Sequence, residues 1–330
     1  MRNLAYHAMA AAMLAVLTTG CIIQEPADPQ AELFRAAGIV LTGEARVDTA
    51  LDLRRNWVRG CETRIGNLTA DAFASSGSAD IGLGPGGNIR DDRGITVLNS
   101  GVVTAQDLLQ VYPFNGKIYL VEMTAYRLKQ ALEGGVSKLG TALSAAGTDD
   151  QDADGRQHGD CYYLGQSGSG RFLHVSSRLK IAIAPANQAQ TISGSVNDST
   201  LVVAAEGRRI ARILIDDIAI YSNPAGNLNS GWAGGLNSCA PGAGFHLGTS
   251  FSGSAACNLY RVAIPDFQAI GNDDHPTFNP ALAEVGNDGS VRTLSTDTGT
   301  DFDVVLQYLQ GLAAASLTVK PAVEDRITFQ

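Results

Sequence analysis

Apolar residues recur along this chain at two spacings, one typical of helices and the other of strands. Helical spacing predicts several helices, because residues three and four positions apart share one face. Thr104 with Asp107 makes a capping box, and Thr124 caps a later helix that Gly134 and Gly135 are expected to end. The predicted helices lie at residues 62–73, 104–111, 124–133 and 303–314.

Short apolar or alternating runs bounded by turn-forming residues predict strands. The predicted strands lie at residues 80–83, 117–123, 172–175, 179–184, 201–204, 210–221, 259–264 and 326–329. Helices and strands follow one another without strict strand–helix–strand repetition, which indicates one α+β domain built on a mixed sheet. We place this domain at residues 46–330, with surface insertions at about 137–170 and 222–256.

The charge balance of the chain bears on its partners. The net charge is −9, charged residues make up 17% of the 330 residues, and no cluster of Lys and Arg stands out. Nucleic-acid partners require a basic face, so we expect none. An anionic small molecule would have to be bound by local donors.

The N-terminus is typical of an exported protein. Residues 1–20 hold an apolar run too short to span a bilayer, and a small residue precedes Cys21. This resembles a bacterial lipobox, which predicts lipidation of Cys21, a tether at residues 21–45 and a cell-envelope lipoprotein that meets the membrane through its lipid alone. The alternative is ordinary signal cleavage.

Four cysteines follow Cys21. An even number in an exported chain indicates two disulfides, for which three connectivities are open. Cys239 and Cys257 bracket a loop rich in Gly, Ser and Ala, and pairing them leaves Cys61 with Cys161.

A glycine cluster at residues 84–87 is the first candidate for chemistry. It follows a predicted strand, and Arg90 lies three residues after its last glycine. Gly86 and Gly87 would let the backbone approach a ligand closely. Arg90 offers a forked, permanently charged donor for a phosphate or a sugar diol. Phe114 follows a proline just before the strand at 117–123, where its ring can be held at a fixed angle.

Seven short strings then fall in one order. They are ETRIGNLTADA at 62–72, GGNIR at 86–90, YPFNG at 112–116, LKQALEGGV at 128–136, GRFLHV at 170–175, YRVA at 260–263 and PAVEDRI at 321–327. Together they resemble the C-terminal, substrate-recognition domain of the 5′-nucleotidase / UDP-sugar hydrolase family. The resemblance runs from about residue 60 to the end, interrupted by the insertions.

The resemblance implies a ligand site. In that family two phenylalanines sandwich a nucleobase, and an arginine and an aspartate hold the ribose or phosphate; here those roles fall on Phe114, Phe267, Arg90 and Asp273. Aromatic stacking on a base contributes about 1–3 kcal/mol and tolerates any base. The alternative for both rings is packing in the core.

The chain departs from the family pattern at several of these positions. Pro85 stands for an asparagine, and Asn88, Ser177 and Asp274 stand for glycines, as does Asn272. Pro85 removes an amide that would read the base, and Asn272 and Ser177 are expected to narrow the site. We therefore expect base selectivity and affinity to differ from the family's.

Catalysis in the family belongs to a preceding metallophosphatase domain. Fewer than forty residues separate Cys21 from the recognisable start, so we expect no such domain, no catalytic residue and no required cofactor here, and a separate metallophosphatase as partner. Residues 273–275 spell Asp-Asp-His without the companions of a two-metal centre. The alternatives are a hydrolase in its own right, or an interaction domain that no longer binds ligand.

One acidic segment has calcium-loop spacing. Asp150, Asp152 and Asp154 alternate before Gly155, as in the opening of an EF-hand loop, but the twelfth position is Cys161 rather than a bidentate Glu. A structural Ca²⁺ is one interpretation, and a solvated acidic loop is the other.

Overall fold

The structure, a computed structural model, describes the chain over seven ranges. These are residues 45–141, 158–161, 170–226, 232, 259–282, 291–314 and 323–330. Several residues singled out from the sequence lie outside these ranges, namely Cys21, Asp150, Asp152, Asp154, Cys239 and Cys257. Their predicted lipidation, calcium binding and disulfide therefore remain predictions.

Strands and helices alternate irregularly along the described ranges. The strands are β1 (Ala45–Val47), β2 (Leu51–Asp52), β3 (Cys61–Thr63), β4 (Ile81–Pro85), β5 (Val97–Leu98), β6 (Gly101–Val103), β7 (Ile118–Thr124), β8 (His158–Cys161), β9 (Leu173–Val175), β10 (Leu179–Ile183), β11 (Thr191–Ser193), β12 (Val202–Ala205), β13 (Ile210–Ile215), β14 (Ile218–Ser222), β15 (Leu259–Pro265), β16 (Val291–Ser295) and β17 (Ile327–Phe329). The helices are α1 (Arg55–Val58), α2 (Arg64–Ser75), α3 (Ala105–Val111), α4 (Ala125–Val136), α5 (Asp266–Ala269) and α6 (Asp301–Ala314).

The larger sheet is five-stranded and mixed, in the order β16-β7-β15-β4-β9. β15 runs parallel to β4, with Val262 opposite Ile81, and the other neighbours are antiparallel. A four-stranded sheet, β14-β13-β10-β17, contributes to the same hydrophobic core. This confirms the predicted α+β fold with mixed sheets.

The local capping signals are confirmed. Thr104 accepts a hydrogen bond from the Asp107 amide at 3.1 Å, and the Asp107 carboxylate accepts one from the Thr104 amide at 2.8 Å. Thr124 Oγ1 accepts from the Arg127 amide at the start of α4. Each bond satisfies an amide that the first helical turn leaves without an intrahelical partner.

The expected end of α4 at its glycine pair is wrong, because the helix continues to Val136. A Cβ on Gly134 would lie 3.2 Å from His275 Nδ1, and one on Gly135 would lie 3.2 Å from Leu173 Cγ. The two glycines thus allow α4 to lie close to its neighbours rather than ending it.

The run at 210–221 is also corrected, because it forms two strands, β13 and β14. Asp216 and Asp217 have φ of 52° and 62° and make a tight hairpin turn between them. Such turns usually carry Asn-Gly or Asp-Gly. Arg178 contacts Asp216 through its Nε at 2.8 Å, which fixes the first of the two turn residues.

β3 and β8 form an antiparallel ribbon in which Cys61 and Cys161 are Cα partners. Residues opposite each other in such a ribbon lie within the Cα separation that a disulfide spans. A Cys61–Cys161 disulfide remains a prediction, which this register favours. None of the helices in the described ranges combines the length and the hydropathy needed to cross a membrane.

Candidate functional site

The larger sheet brings three predicted segments to one edge. β4 ends at the glycine cluster, and its parallel neighbour β15 ends at Pro265, two residues before Phe267. β7 runs antiparallel to β15, with Ile118 opposite Pro265, so the residues just before β7, including Phe114, lie at the same edge. In open parallel sheets ligands bind beyond the carboxyl ends of the strands, and β4 and β15 form a parallel pair.

A cavity of about 520 Å³ opens at this edge. It is lined by Arg59, Gly87, Asn88, Arg90, Phe114, Asn115, Gly116, Gly170, Asp266, Phe267, Gln268 and Asp273. The structure therefore brings Gly87, Arg90, Phe114, Phe267 and Asp273 together. Phe114 is 52% exposed and Phe267 is 49% exposed, so neither ring is packed in the core.

The loop that carries Phe114 is anchored by a buried tyrosine. Tyr112 is fully buried, and its hydroxyl lies 2.6 Å from Thr69 Oγ1. Asn115 has φ of 52°, which turns the chain sharply after the ring. A buried anchor on one side and a left-handed residue on the other hold Phe114 at the rim of the cavity.

Arg90 lies against that ring. Its guanidinium carbon is 5.1 Å from the Phe114 ring centroid, and its backbone amide donates to Val111 O at 3.0 Å. The guanidinium also donates two hydrogen bonds to Asp92, one of them from Nε to Oδ1 at 3.0 Å. These bonds raise the pKa of Arg90 and lower the pKa of Asp92.

A second part of the cavity wall is built on α5 and the turn after it. Gln268 is 1% exposed, and its Nε2 donates to Asp273 Oδ2 at 3.1 Å. Among the described residues Gln268 Oε1 has no hydrogen-bond partner although it is buried. Burial raises the pKa of Asp273, although the hydrogen bond from Gln268 acts in the opposite direction and lowers it. A buried acceptor without a partner is costly, and a ligand donor would satisfy it.

The two predicted glycines have different surroundings. Gly87 lines the cavity, and a Cβ there would lie 2.8 Å from Gly170 Cα. Gly86 is not among the lining residues; a Cβ there would lie 1.9 Å from Val58 O. Its missing side chain therefore lets β4 approach the segment that carries Arg59.

Arg59 was not singled out from the sequence. It follows α1 and lines the cavity with Arg90. Burial lowers the pKa of Arg59, the positive charges of Arg55 and Arg90 lower it further, and the carboxylate of Asp273 raises it. The only sequence feature that points to Arg59 is that several arginines occur at residues 54–59. No motif predicts that this segment lies next to the glycine cluster.

Asn88 is another buried polar residue of the cavity wall. Asn88 Nδ2 lies 3.4 Å from Oδ2 of Asp301, the fully buried first residue of α6. Burial raises the pKa of Asp301 to about 7. Asn88 thus connects the cavity to a buried carboxyl group.

The expected narrowing of the site by Asn272 and Ser177 is not seen. Among the departures from the family pattern, Asn88 alone is a described residue that lines the cavity. The Ser177 amide instead donates to Asp71 Oδ1 at 2.8 Å, and Pro85 is buried at the end of β4.

The Asp-Asp-His string does not form an open site. His275 is fully buried, and its Nε2 lies 3.1 Å from Arg171 O. Burial lowers its pKa to about 4. Within the described ranges, no three or more His, Cys, Asp or Glu side chains are grouped so as to hold a metal ion.

Comparison with known families decides the relationship. The family model described as "5′-nucleotidase, C-terminal domain" matches residues 41–223. The chain belongs to this family. This confirms the resemblance that the sequence strings predicted, and the protein is a 5′-nucleotidase C-terminal domain by family.

Two relatives indicate how far the likeness reaches. The domain is 34% identical over 96 residues to the trifunctional nucleotide phosphoesterase protein YfkN of Bacillus subtilis (strain 168), which is 28% of this chain and 6% of that protein. It superposes on a 5′-nucleotidase precursor from Thermus thermophilus with a TM-score of 0.52 and 18% identity, over 91% of this chain and 42% of that one. The chain thus spans less than half of either relative, and the second likeness concerns the fold alone.

Proposed function

We propose that this 5′-nucleotidase C-terminal domain binds a nucleoside or nucleotide in the cavity at the end of β4 and β15. The base would stack between Phe114 and Phe267. The sugar and any phosphate would be held by Arg59, Arg90 and Asp273. The observation that carries this proposal is the position of two half-exposed phenylalanine rings on one cavity that is also lined by two arginines.

The chemistry of the wall fits such a ligand. A volume of about 520 Å³ lies in the usual range for small-molecule sites. Stacking on an aromatic ring stabilises a bound base by about 1–3 kcal/mol. Exposed phenylalanines cost free energy in water, so two on one rim are better explained by a ligand than by folding.

The polar groups complement a ribose. Asp273 is a carboxylate acceptor suited to a diol, and Gln268 Oε1 is a buried acceptor without a partner among the described residues. Guanidinium groups at Arg59 and Arg90 suit the anionic or hydroxyl end of the ligand.

The biological setting is also a proposal. We infer export through the N-terminal signal, lipidation at Cys21 and work in nucleotide salvage at the bacterial cell envelope beside a separate metallophosphatase. Support comes from the family and from the similarity to the Bacillus relative, which is named a nucleotide phosphoesterase. The acidic balance of the chain, with a net charge of −9, gives no basis for a nucleic-acid partner.

A thermal-shift panel on the purified domain tests the proposal. Adenosine, uridine, their 5′-monophosphates, ribose 5-phosphate and free adenine would each be added at millimolar concentration. We expect nucleosides or nucleotides to raise the melting temperature, and the base or sugar alone to do so less. No shift with any of them would contradict the proposal.

A phosphate-release assay with the same nucleotides and added Mn²⁺ distinguishes binding from hydrolysis. We expect no release above the buffer control. Release above that control would instead establish the domain as a hydrolase in its own right.

A further inference from the structure

The guanidinium of Arg90 is already bound to a carboxylate of the same loop. Asp92 accepts from Arg90 Nε at 3.0 Å through Oδ1 and from Arg90 Nη2 through Oδ2, which is a two-point, fork-to-fork contact. This is the geometry by which arginine binds an external carboxylate or phosphate. Asp92 therefore occupies one of the two guanidinium edges through which Arg90 can bind an oxyanion.

Asp92 is held in place from a second side. Arg55 Nη2 lies 3.4 Å from Asp92 Oδ2 and 3.6 Å from an oxygen of the adjacent Asp91. The Arg55 amide also donates to Asp91 Oδ2 at 2.9 Å. The short loop after Arg90 is thus fixed against α1 through Arg55.

The Arg90–Asp92 contact changes the balance of charge at the cavity. Two arginines, Arg59 and Arg90, and two aspartates, Asp266 and Asp273, line the cavity. Without Asp92 the formal charges of these four side chains cancel. The Asp92 carboxylate, bound to Arg90, adds a negative charge next to this cavity-lining guanidinium.

We propose that Asp92 is a specificity-determining residue that makes the cavity favour uncharged nucleosides over their 5′-monophosphates. A phosphate dianion that binds Arg90 must either displace the Asp92 carboxylate or lie beside it, and either choice costs free energy. A nucleoside 5′-hydroxyl incurs neither cost. This inference rests on the proposed function, because it assumes that the cavity binds the nucleoside.

Calorimetric titrations of adenosine and AMP into the wild-type domain and two variants test it. Asp92→Asn removes the charge that faces Arg90. Asp91→Asn removes the same charge one residue earlier and keeps a side-chain oxygen that can accept from the Arg55 amide, so it is the matched control. Asp92 is an exposed side chain, and its replacement is compatible with folding; equal melting temperatures would verify this.

We expect the wild type to bind adenosine at least as tightly as AMP. Asp92→Asn should raise AMP affinity about five- to tenfold and leave adenosine affinity within about twofold, whereas Asp91→Asn should change the ratio by less than about twofold. Low salt should enlarge the Asp92→Asn effect.

Two other results separate a failure of this inference from a failure of the proposed function. If adenosine binds but Asp92→Asn leaves the ratio of affinities unchanged, or if the wild type already prefers AMP, this inference is overturned and the proposed function stands. If neither ligand binds any of the three proteins, the proposed function fails, and this inference fails with it.

Discussion

Gln268 donates its side-chain amide to Asp273 Oδ2 at 3.1 Å across the turn that follows α5. Its neighbour Phe267 points outward, so one helical turn supplies both an exposed ring and a buried amide to the same cavity. Asp273 itself has φ of 54°, a conformation that non-glycine residues rarely adopt. The hydrogen bond from Gln268 helps to hold the Asp273 carboxylate where a ligand can reach it.

Gln268→Leu tests this arrangement. Leucine keeps the volume but removes both the donor to Asp273 and the acceptor Oε1, so adenosine affinity should fall about tenfold by calorimetry. Ile270→Ala is the matched control, because Ile270 is exposed in the same turn and does not line the cavity. Equal losses in the two variants would contradict a role for the amide.

Asp301 predicts a pH dependence of stability. Burial raises its pKa from 3.8 to about 7 in the folded protein. Well below pH 3.8 the group is protonated in both states, and its contribution to stability is fully present. As the pH rises toward 7 the unfolded chain releases the proton first, so that contribution is lost, up to about 4 kcal/mol.

Urea unfolding of wild type and Asp301→Asn at about pH 5 and about pH 8 measures this loss. The wild type should lose about 2–3 kcal/mol more than the variant between the two conditions, because asparagine does not titrate. The same slope in both proteins would show that Asp301 titrates normally. Other groups contribute equally to the two proteins and cancel in the difference.

Gly86→Ala should destabilise the fold strongly. Its Cβ would lie 1.9 Å from Val58 O, and backbone on both sides would have to move, at a cost of about 3 kcal/mol or more. Gly311→Ala is the control, because Gly311 lies in α6 with no atom within 4 Å of an added Cβ. That change should raise stability by up to about 1 kcal/mol. Unfolding curves in which the two variants coincide would contradict the steric argument.

The local features of the fold could be predicted from the sequence. The Thr104–Asp107 capping box and the helix after Thr124 depend on residues within one turn of each other. The break at Asp216 and Asp217 could not, because a turn with two left-handed residues usually carries glycine, and this one does not. Salt bridges from β10 at Lys180 and from nearby Arg178 accompany the turn.

The cavity was predicted in part. Family resemblance placed Arg90, Phe114, Phe267 and Asp273 on it, and the structure brings these residues together. Arg59 and Gln268 were missed because their position depends on pairing between distant segments rather than on local spacing. Gly134 and Gly135 were misread for the same reason: their neighbours, His275 and Leu173, are remote in sequence.

The cysteine pairing is a further prediction. The β3–β8 register favours a Cys61–Cys161 disulfide, and Cys61 is fully buried. Non-reducing peptide mapping of the exported protein should yield one linked fragment containing both residues. A fragment that links Cys61 to Cys239 or Cys257 would contradict the register argument. Cys61→Ser should lower stability by about 2–4 kcal/mol under oxidising conditions.

The most direct test of the base-binding site is a calorimetric titration of adenosine into wild type, Phe114→Ala and Phe267→Ala. Ile218→Ala serves as the control, since Ile218 is an exposed apolar residue of β14 that does not line the cavity. We predict that each phenylalanine variant binds adenosine about tenfold or more weakly than the wild type, and that Ile218→Ala binds normally. Wild-type affinity in both phenylalanine variants would contradict the account.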